Sequence, residues 1–182
     1  MIRLVLVDRD GVLNEDRPDS VKTPDEFVMI AGAAAAVARL NAAGCKVALV
    51  TNQAVVGRGI IDAAMLSRIH EKLMEALARE KGIIHSIHVA TDPPGAASGR
   101  RKPAPGLLLE AMEKWRTSPA QTVMIGDDLK DLEAARAAGV RPLLVRTGKG
   151  AKLQASGIPP HLGPIPVYDS LADAVEKLLA TF

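Results

Sequence analysis

Apolar, β-branched runs alternate along this chain with Ala- and Leu-rich stretches, and each run gives way to a polar cluster. The runs predict strands over Ile2–Val7, Lys46–Thr51, Ile83–Ala90, Thr122–Ile125 and Leu143–Arg146. The stretches between and after them predict helices over Gly32–Ala43, Asp62–Lys81, Gly106–Arg116, Leu129–Ala138 and Leu171–Leu179. Asp62 suits an N-cap, Gly139 suits a helix stop, and the alanines from 31 to 38 read as a packing surface. The Pro/Gly-rich segments 91–106 and 157–166 are too short to be domains and read as loops. Strand–helix alternation of this kind predicts an α/β fold: a doubly wound, Rossmann-like three-layer sandwich with a parallel central sheet, as one domain over residues 1–182.

The polar clusters are the second signal. They read Asp8-Arg-Asp10-Gly, Thr51-Asn-Gln53, Thr91-Asp-Pro-Pro94, Gly126-Asp-Asp128 and Arg146-Thr-Gly148, each at a predicted strand end. Ligands of open α/β sheets bind at the carboxyl ends of the strands, so these clusters are expected to converge on one crevice. Gly11 lets the chain turn after Asp10, which crowds two carboxylates into one bend; such a pair resists joint ionisation unless a cation or hydrogen bonds compensate. Thr51 adds a hydroxyl, Lys102 a cation, and Asp127, Asp128 and Asp131 a cluster of acids. Phosphoryl transfer needs an in-line nucleophile, neutralisation of the equatorial oxygens and usually a divalent metal, and magnesium prefers a few carboxylates plus phosphate oxygens. The inventory matches that reaction. Singly, the same residues have plainer roles: Thr51 as the cap of a turn, Lys102 as a solvated charge, and Asp131 as a first-turn acid favoured by the helix dipole or, equally, a site residue.

Composition narrows the classes of function. Aromatic side chains number four, Phe27, Trp115, Tyr168 and Phe182, and 23 Lys+Arg balance 21 Asp+Glu, which argues against the stacking platforms and basic faces of nucleic-acid binders. One cysteine, Cys45, excludes an intrachain disulfide and a Cys-rich zinc site. No signal-peptide pattern and no apolar run of membrane-spanning length is seen, so a cytoplasmic monomer with no membrane partner is expected. His85 and His88 lie three apart in a predicted strand and face opposite ways, a poor metal pair. Thr147-Gly-Lys-Gly150 lacks the full spacing of a nucleotide-binding loop and reads as a turn.

Asp8-x-Asp10-Gly, Thr51, Lys102 in Arg-Lys-Pro, and Gly126-Asp127-Asp128-x-x-Asp131 resemble, in the same chain order, the four motifs of haloacid dehalogenase (HAD) superfamily phosphatases. More specifically, Asp8-Arg-Asp-Gly-Val-Leu-Asn14, Thr51-Asn-Gln53, Gly57-Arg-Gly59 and Arg101-Lys-Pro-Ala-Pro-Gly106 resemble the D-glycero-D-manno-heptose 1,7-bisphosphate phosphatases and their histidinol-phosphatase relatives, from Met1 to about residue 150. The resemblance implies a catalytic set of Asp8, Asp10, Thr51 and Lys102: Asp8 attacks phosphorus, Asp10 protonates the leaving oxygen and then activates water, and Thr51 and Lys102 hold the phosphoryl oxygens. It implies Mg2+ between Asp8, the Asp10 carbonyl and Asp127. It implies a small phosphorylated metabolite, bounded by Asp16, Asp19, Asn52, Gln53, Arg58, Arg101 and Asp128, with Asp128 either repelling a second phosphate or serving as an outer acceptor for the metal. Such families commonly carry a Cys/His zinc loop before Arg-Lys-Pro; here the ligand positions hold Ala90, Asp92, Ser98 and Arg100, so no structural zinc is expected. About twenty residues separate Asp10 from the first predicted helix, which implies a capless enzyme whose short loops set specificity.

The expected substrate is the 7-phosphate of a heptose 1,7-bisphosphate, with histidinol phosphate as the alternative. A phosphoacceptor signalling domain also uses acids, Thr and Lys on a doubly wound sheet, but places its phosphorylated Asp on a later strand than its metal acids, the reverse of the order here. A silent binding protein would not need every one of these chemical groups.

Overall fold

Six strands, β1 (Leu4–Val7), β2 (Lys46–Asn52), β3 (Ser86–Ala90), β4 (Thr122–Gly126), β5 (Arg141–Val145) and β6 (Val167–Tyr168), pair in parallel in the order β3-β2-β1-β4-β5-β6. This computed structural model describes residues 1–96 and 98–182. Every strand among them belongs to that one sheet. The helices are α1 (Ala33–Ala42), α2 (Ala54–Gly57), α3 (Ala63–Arg79), α4 (Gly106–Trp115), α5 (Leu129–Ala137), α6 (Gly150–Ser156) and α7 (Leu171–Leu179).

Alternation along the strands builds the layers. Val5, Val7, Val47, Leu49, Val123 and Ile125 face one side and pack with α1, α3 and α7, whereas Leu4, Leu6, Ala48, Val50 and Met124 face the other and pack with α4 and α5. Because β1, β2, β4 and β5 are covered on both faces, their sequences read as nearly continuous apolar runs, whereas the edge strand β3 leaves Ile87 exposed. Strand order turns back at β1, which pairs with β2 on one edge and β4 on the other, with Val7 beside both Leu49 and Ile125. The crevice of a doubly wound sheet opens at that reversal.

The predicted elements are found with ends shifted by up to three residues, and Asp62 caps α3 through a 2.7 Å bond from the Met65 amide. Three differences have local causes. Strand β5 begins at Arg141, because Pro142, which lacks a ladder donor and reads as a breaker, is accommodated beside Met124. Strand β3 begins only at Ser86; the His85 amide donates to the Val47 carbonyl at 2.7 Å, but the preceding residues run outside the sheet. Helices α2 and α6 and strand β6 are too short to show a period. No helix among the described residues is long and apolar enough to cross a membrane.

Leu6 is fully buried between the sheet and α4. Leu6→Ala is expected to cost about 2–5 kcal/mol of unfolding free energy, read from the midpoint of a urea titration.

Candidate active site

The ladder between β1 and β4 runs one residue past β1: the Asp8 amide donates to the Ile125 carbonyl at 3.1 Å. This sets Asp8 beside the end of β4, from which Asp127 follows directly. Gly11 (φ +84°) and Gly148 (φ +57°) close in on Asp127 from two loops; a Cβ at either would stand 2.1 Å from Asp127 Oδ2. Only glycine tolerates both the left-handed backbone and the approach. Thr147 Oγ1 joins the loops by donating to the Gly11 carbonyl at 2.6 Å, and the Lys149 amide donates to Asp127 Oδ2 at 2.8 Å.

Lys102 is 2% exposed, and its ammonium lies 2.6 Å from Asp131 Oδ1 and 3.0 Å from Asp8 Oδ1. Burial alone would lower its pKa, but Asp131 and Asp8 hold it above the usual lysine range. Asn52 fixes the same lysine through its backbone, donating to its carbonyl at 2.9 Å and accepting from its amide at 3.0 Å. Asp131 resolves its two expected roles into one arrangement: Oδ2 accepts the amides of Asp127 and Asp128 at 3.1 Å each, while Oδ1 grips Lys102.

Asp10 occupies a separate network. Arg9, fully buried, donates from Nη2 to both Asp10 oxygens at 3.1 Å and to Gln53 Oε1 at 3.0 Å. Asn14 donates to Asp10 Oδ1 at 2.9 Å, and Gln53 donates to Asp10 Oδ2 at 2.8 Å and to Thr51 Oγ1 at 2.9 Å. Burial opposes ionisation of Asp10, but the Arg9 charge and these hydrogen bonds outweigh it and hold the carboxyl below the ordinary aspartate value. Asp8 moves the other way: burial raises it, and Asp131 and Asp10 add to that against the pull of Lys102.

Above these groups lies a cleft of about 420 Å³, lined by Asp8, Asp10, Asp16, Asn52, Gln53, Arg58, Arg101, Lys102, Asp127 and Asp128 among the residues picked out by sequence. Thr51 is buried beneath it, and Asp19 lies outside its wall, paired with Lys22 and Arg17. Arg101 donates to the Asp92 carbonyl at 2.9 Å, and burial together with the charge of Arg58 lowers its pKa, as expected where two cations share one wall. Asp128 is the N-cap of α5 and pairs with Lys149 at 3.2 Å, while Lys149 reaches Asp16 at 3.8 Å. Sequence reasoning passed over Arg9, Asn14 and His70, and it read Thr147-Gly-Lys-Gly150, with Lys149, as a turn only. The turn at 147–149 carries Lys149 to the cleft, and only its short spacing from Arg146-Thr-Gly148, already a strand-end cluster, signalled that.

Oxygens of Asp8, Asp127 and Asp131 lie within 4.8 Å of one another. Burial raises Asp127 as well, reinforced by the charges of Asp131 and Asp8. Three carboxylates against one buried ammonium leave the cluster short of positive charge, and an all-oxygen donor set fits a hard divalent cation such as magnesium.

Comparison with known proteins places the chain in a family. The HAD-hydrolase-like family profile matches residues 99–174. The chain is 39% identical over 178 residues to the D-glycero-β-D-manno-heptose-1,7-bisphosphate 7-phosphatase of Bordetella bronchiseptica, covering 98% of each chain, and 38% identical to its Pseudomonas aeruginosa counterpart, covering 97% of each. It superposes with a TM-score of 0.94, at 38% identity and full coverage of both chains, on the crystal structure of the B. bronchiseptica phosphatase complexed with magnesium and phosphate. The fold is that of a HAD phosphatase, and the chain is a phosphoric monoester hydrolase. Within that class, the chain belongs to the D,D-heptose 1,7-bisphosphate phosphatase family.

Two outcomes follow. Gly148→Ala sets a Cβ against Asp127 Oδ2 and 2.6 Å from the Gly11 Cα, in a left-handed turn, and is expected to lower the thermal midpoint and displace Asp127 in a crystal structure. His70 is buried beside Arg9 and its pKa falls to about 4, chiefly through burial and then the Arg9 charge. The unfolded chain therefore takes up a proton near pH 6.5 that the folded one refuses, so this contribution is full above pH 6.5 and is lost as pH falls towards 4. Chemical denaturation at pH 7 and pH 4.5 is expected to show a drop of about 2 kcal/mol that His70→Gln reduces.

Proposed function

We propose that this chain removes the 7-phosphate of D-glycero-β-D-manno-heptose 1,7-bisphosphate through an aspartyl phosphate on Asp8, with magnesium as cofactor. The observation that carries the reading is the convergence of the Asp8 carboxylate, the buried Lys102 ammonium and Asp127 beneath a cleft walled by Arg58 and Arg101. Likeness to heptose bisphosphate phosphatases over nearly the whole chain supports the choice of substrate.

An Asp8 oxygen attacks phosphorus as the bond from phosphorus to the sugar oxygen breaks, and Asp10, carrying a proton taken up from solvent or from the water of the previous turnover against the Arg9 charge, gives that proton to the departing oxygen. Water then attacks the acyl phosphate, Asp10 takes the water's proton, and the bond from phosphorus to Asp8 breaks to release phosphate. Thr51 and Lys102 hold the non-bridging oxygens; Asn52, by fixing the Lys102 backbone, keeps that ammonium in reach of both Asp8 and phosphate. A bound magnesium, held by Asp8, Asp127 and the Asp10 carbonyl, supplies charge neutralisation for the phosphoryl group. Arg58 and Arg101 take the substrate's remaining phosphate, with Asp16, Asn52, Gln53 and Asp128 lining the sugar's path.

Phosphate release from heptose 1,7-bisphosphate and from histidinol phosphate, measured in parallel, tests the reading. Preference for the heptose ester is expected, abolished by chelator and reduced about a thousandfold or more in Asp8→Asn. Lys102→Met is expected to cost about a hundredfold or more in kcat. Preference for histidinol phosphate would replace the substrate, and undiminished turnover in Asp8→Asn would remove the covalent step.

A further inference from the structure

We propose that Arg9 and His70 form a positioning pair for Asp10: the buried guanidinium aims the Asp10 carboxylate at the departing oxygen, and the imidazole fixes the guanidinium from behind. The proposal rests on the reading of Asp10 as the residue that moves protons.

Arg9 stands between the two acids and turns the opposite way, into the protein, where it is 0% exposed. Its guanidinium is fully buried, with Nη2 spent on Asp10 and Gln53 and Nη1 facing His70, so it is not free to take a substrate oxygen. A buried guanidinium is costly to desolvate, and replacing a buried ion pair by apolar groups is often neutral or stabilising, so fold stability gives no reason for a charge here. Orientation does. The carboxylate accepts from Arg9 on both oxygens, from Asn14 on Oδ1 and from Gln53 on Oδ2, which fixes the rotation of its plane. Arg9 alone touches both oxygens.

His70 extends the device to the outer layer. It sits on α3, 8% exposed, with Nε2 at 3.3 Å from Arg9 Nη1. A guanidinium offers only donors, so Nε2 is the unprotonated nitrogen and accepts. The low pKa of His70 keeps it in that neutral form at neutral pH. Arg9 Nε has no partner among the described residues, so Asp10, Gln53 and His70 are what hold the planar group in register.

The dependence on leaving group separates positioning from mere structure. Phenolate needs a proton as it departs and 2,4-dinitrophenolate does not, so poor aim of Asp10 lowers kcat/KM for phenyl phosphate and spares 2,4-dinitrophenyl phosphate. His70→Leu is expected to lose about tenfold on phenyl phosphate and less than about twofold on the dinitrophenyl ester. His70→Gln, whose amide oxygen accepts from Arg9, is expected to restore phenyl phosphate turnover to within about twofold of wild type. Arg9→Met is expected to show the same selective loss, larger; if it does not fold, the two His70 variants decide. Equal losses on both esters, or no loss in His70→Leu, overturn the proposal. Asp10→Asn is the control for the reading beneath it: a selective loss there without one in His70→Leu removes only the positioning pair, whereas no selective loss in Asp10→Asn removes the role of Asp10 and the proposal together.

Discussion

The ammonium of Lys102, held between Asp131 and Asp8, ties together three segments that are far apart in sequence: the end of β1, the loop before α4 and the first turn of α5. Removing one partner of such a group leaves an uncompensated buried charge, which costs far more than a surface ion pair returns. Asp131 doubles the constraint, because the carboxylate that meets Lys102 also accepts the amides of Asp127 and Asp128. The turn that presents Asp127 is therefore shaped by the same side chain that places the lysine, and neither can shift alone.

Two carboxylates two residues apart end in opposite electrostatic settings. Asp8 shares one buried ammonium with other acids and is pushed up, while Asp10 has a guanidinium and two side-chain amides to itself and is pulled down. The division comes from direction: Asp8 continues the β1 ladder, whereas Asp10 already belongs to the turn that Gly11 permits and meets Asn14 there.

Much of this was legible in the chain itself. Strand runs covered on both faces are unmistakable, and polar clusters at their ends bring Asp8, Asp10, Lys102 and Asp127 forward without a structure. What stayed hidden depends on where side chains turn. Arg9 looks like a solvated residue between two acids, and only the packing of α3 shows that it runs inward to His70. Asn52 reads as a pocket residue and does line the cleft, but its two side-chain hydrogen bonds to the Lys102 backbone depend on the fold. Asp19 was expected at the pocket's border, but neighbouring Lys22 and Arg17 occupy it instead, an outcome local spacing cannot rank against a more distant cleft. Short elements such as α2, α6 and β6 exist because the sheet edge and the loops support them, not because their own sequences carry a period.

The central place of β1 has a consequence for synthesis. It is made before the other described strands of the sheet, and β2 can cover one of its edges early, but its other edge stays open until β4 emerges roughly a hundred residues later. At ribosomal rates of about 5–20 residues per second, that edge waits of order ten seconds with apolar side chains on both faces. An unpaired apolar strand is a template for the wrong partner. The chain's exposure to aggregation is thus concentrated in the interval before residues 122–126 arrive, and a nascent chain halted short of them would carry Asp8 on an incomplete sheet.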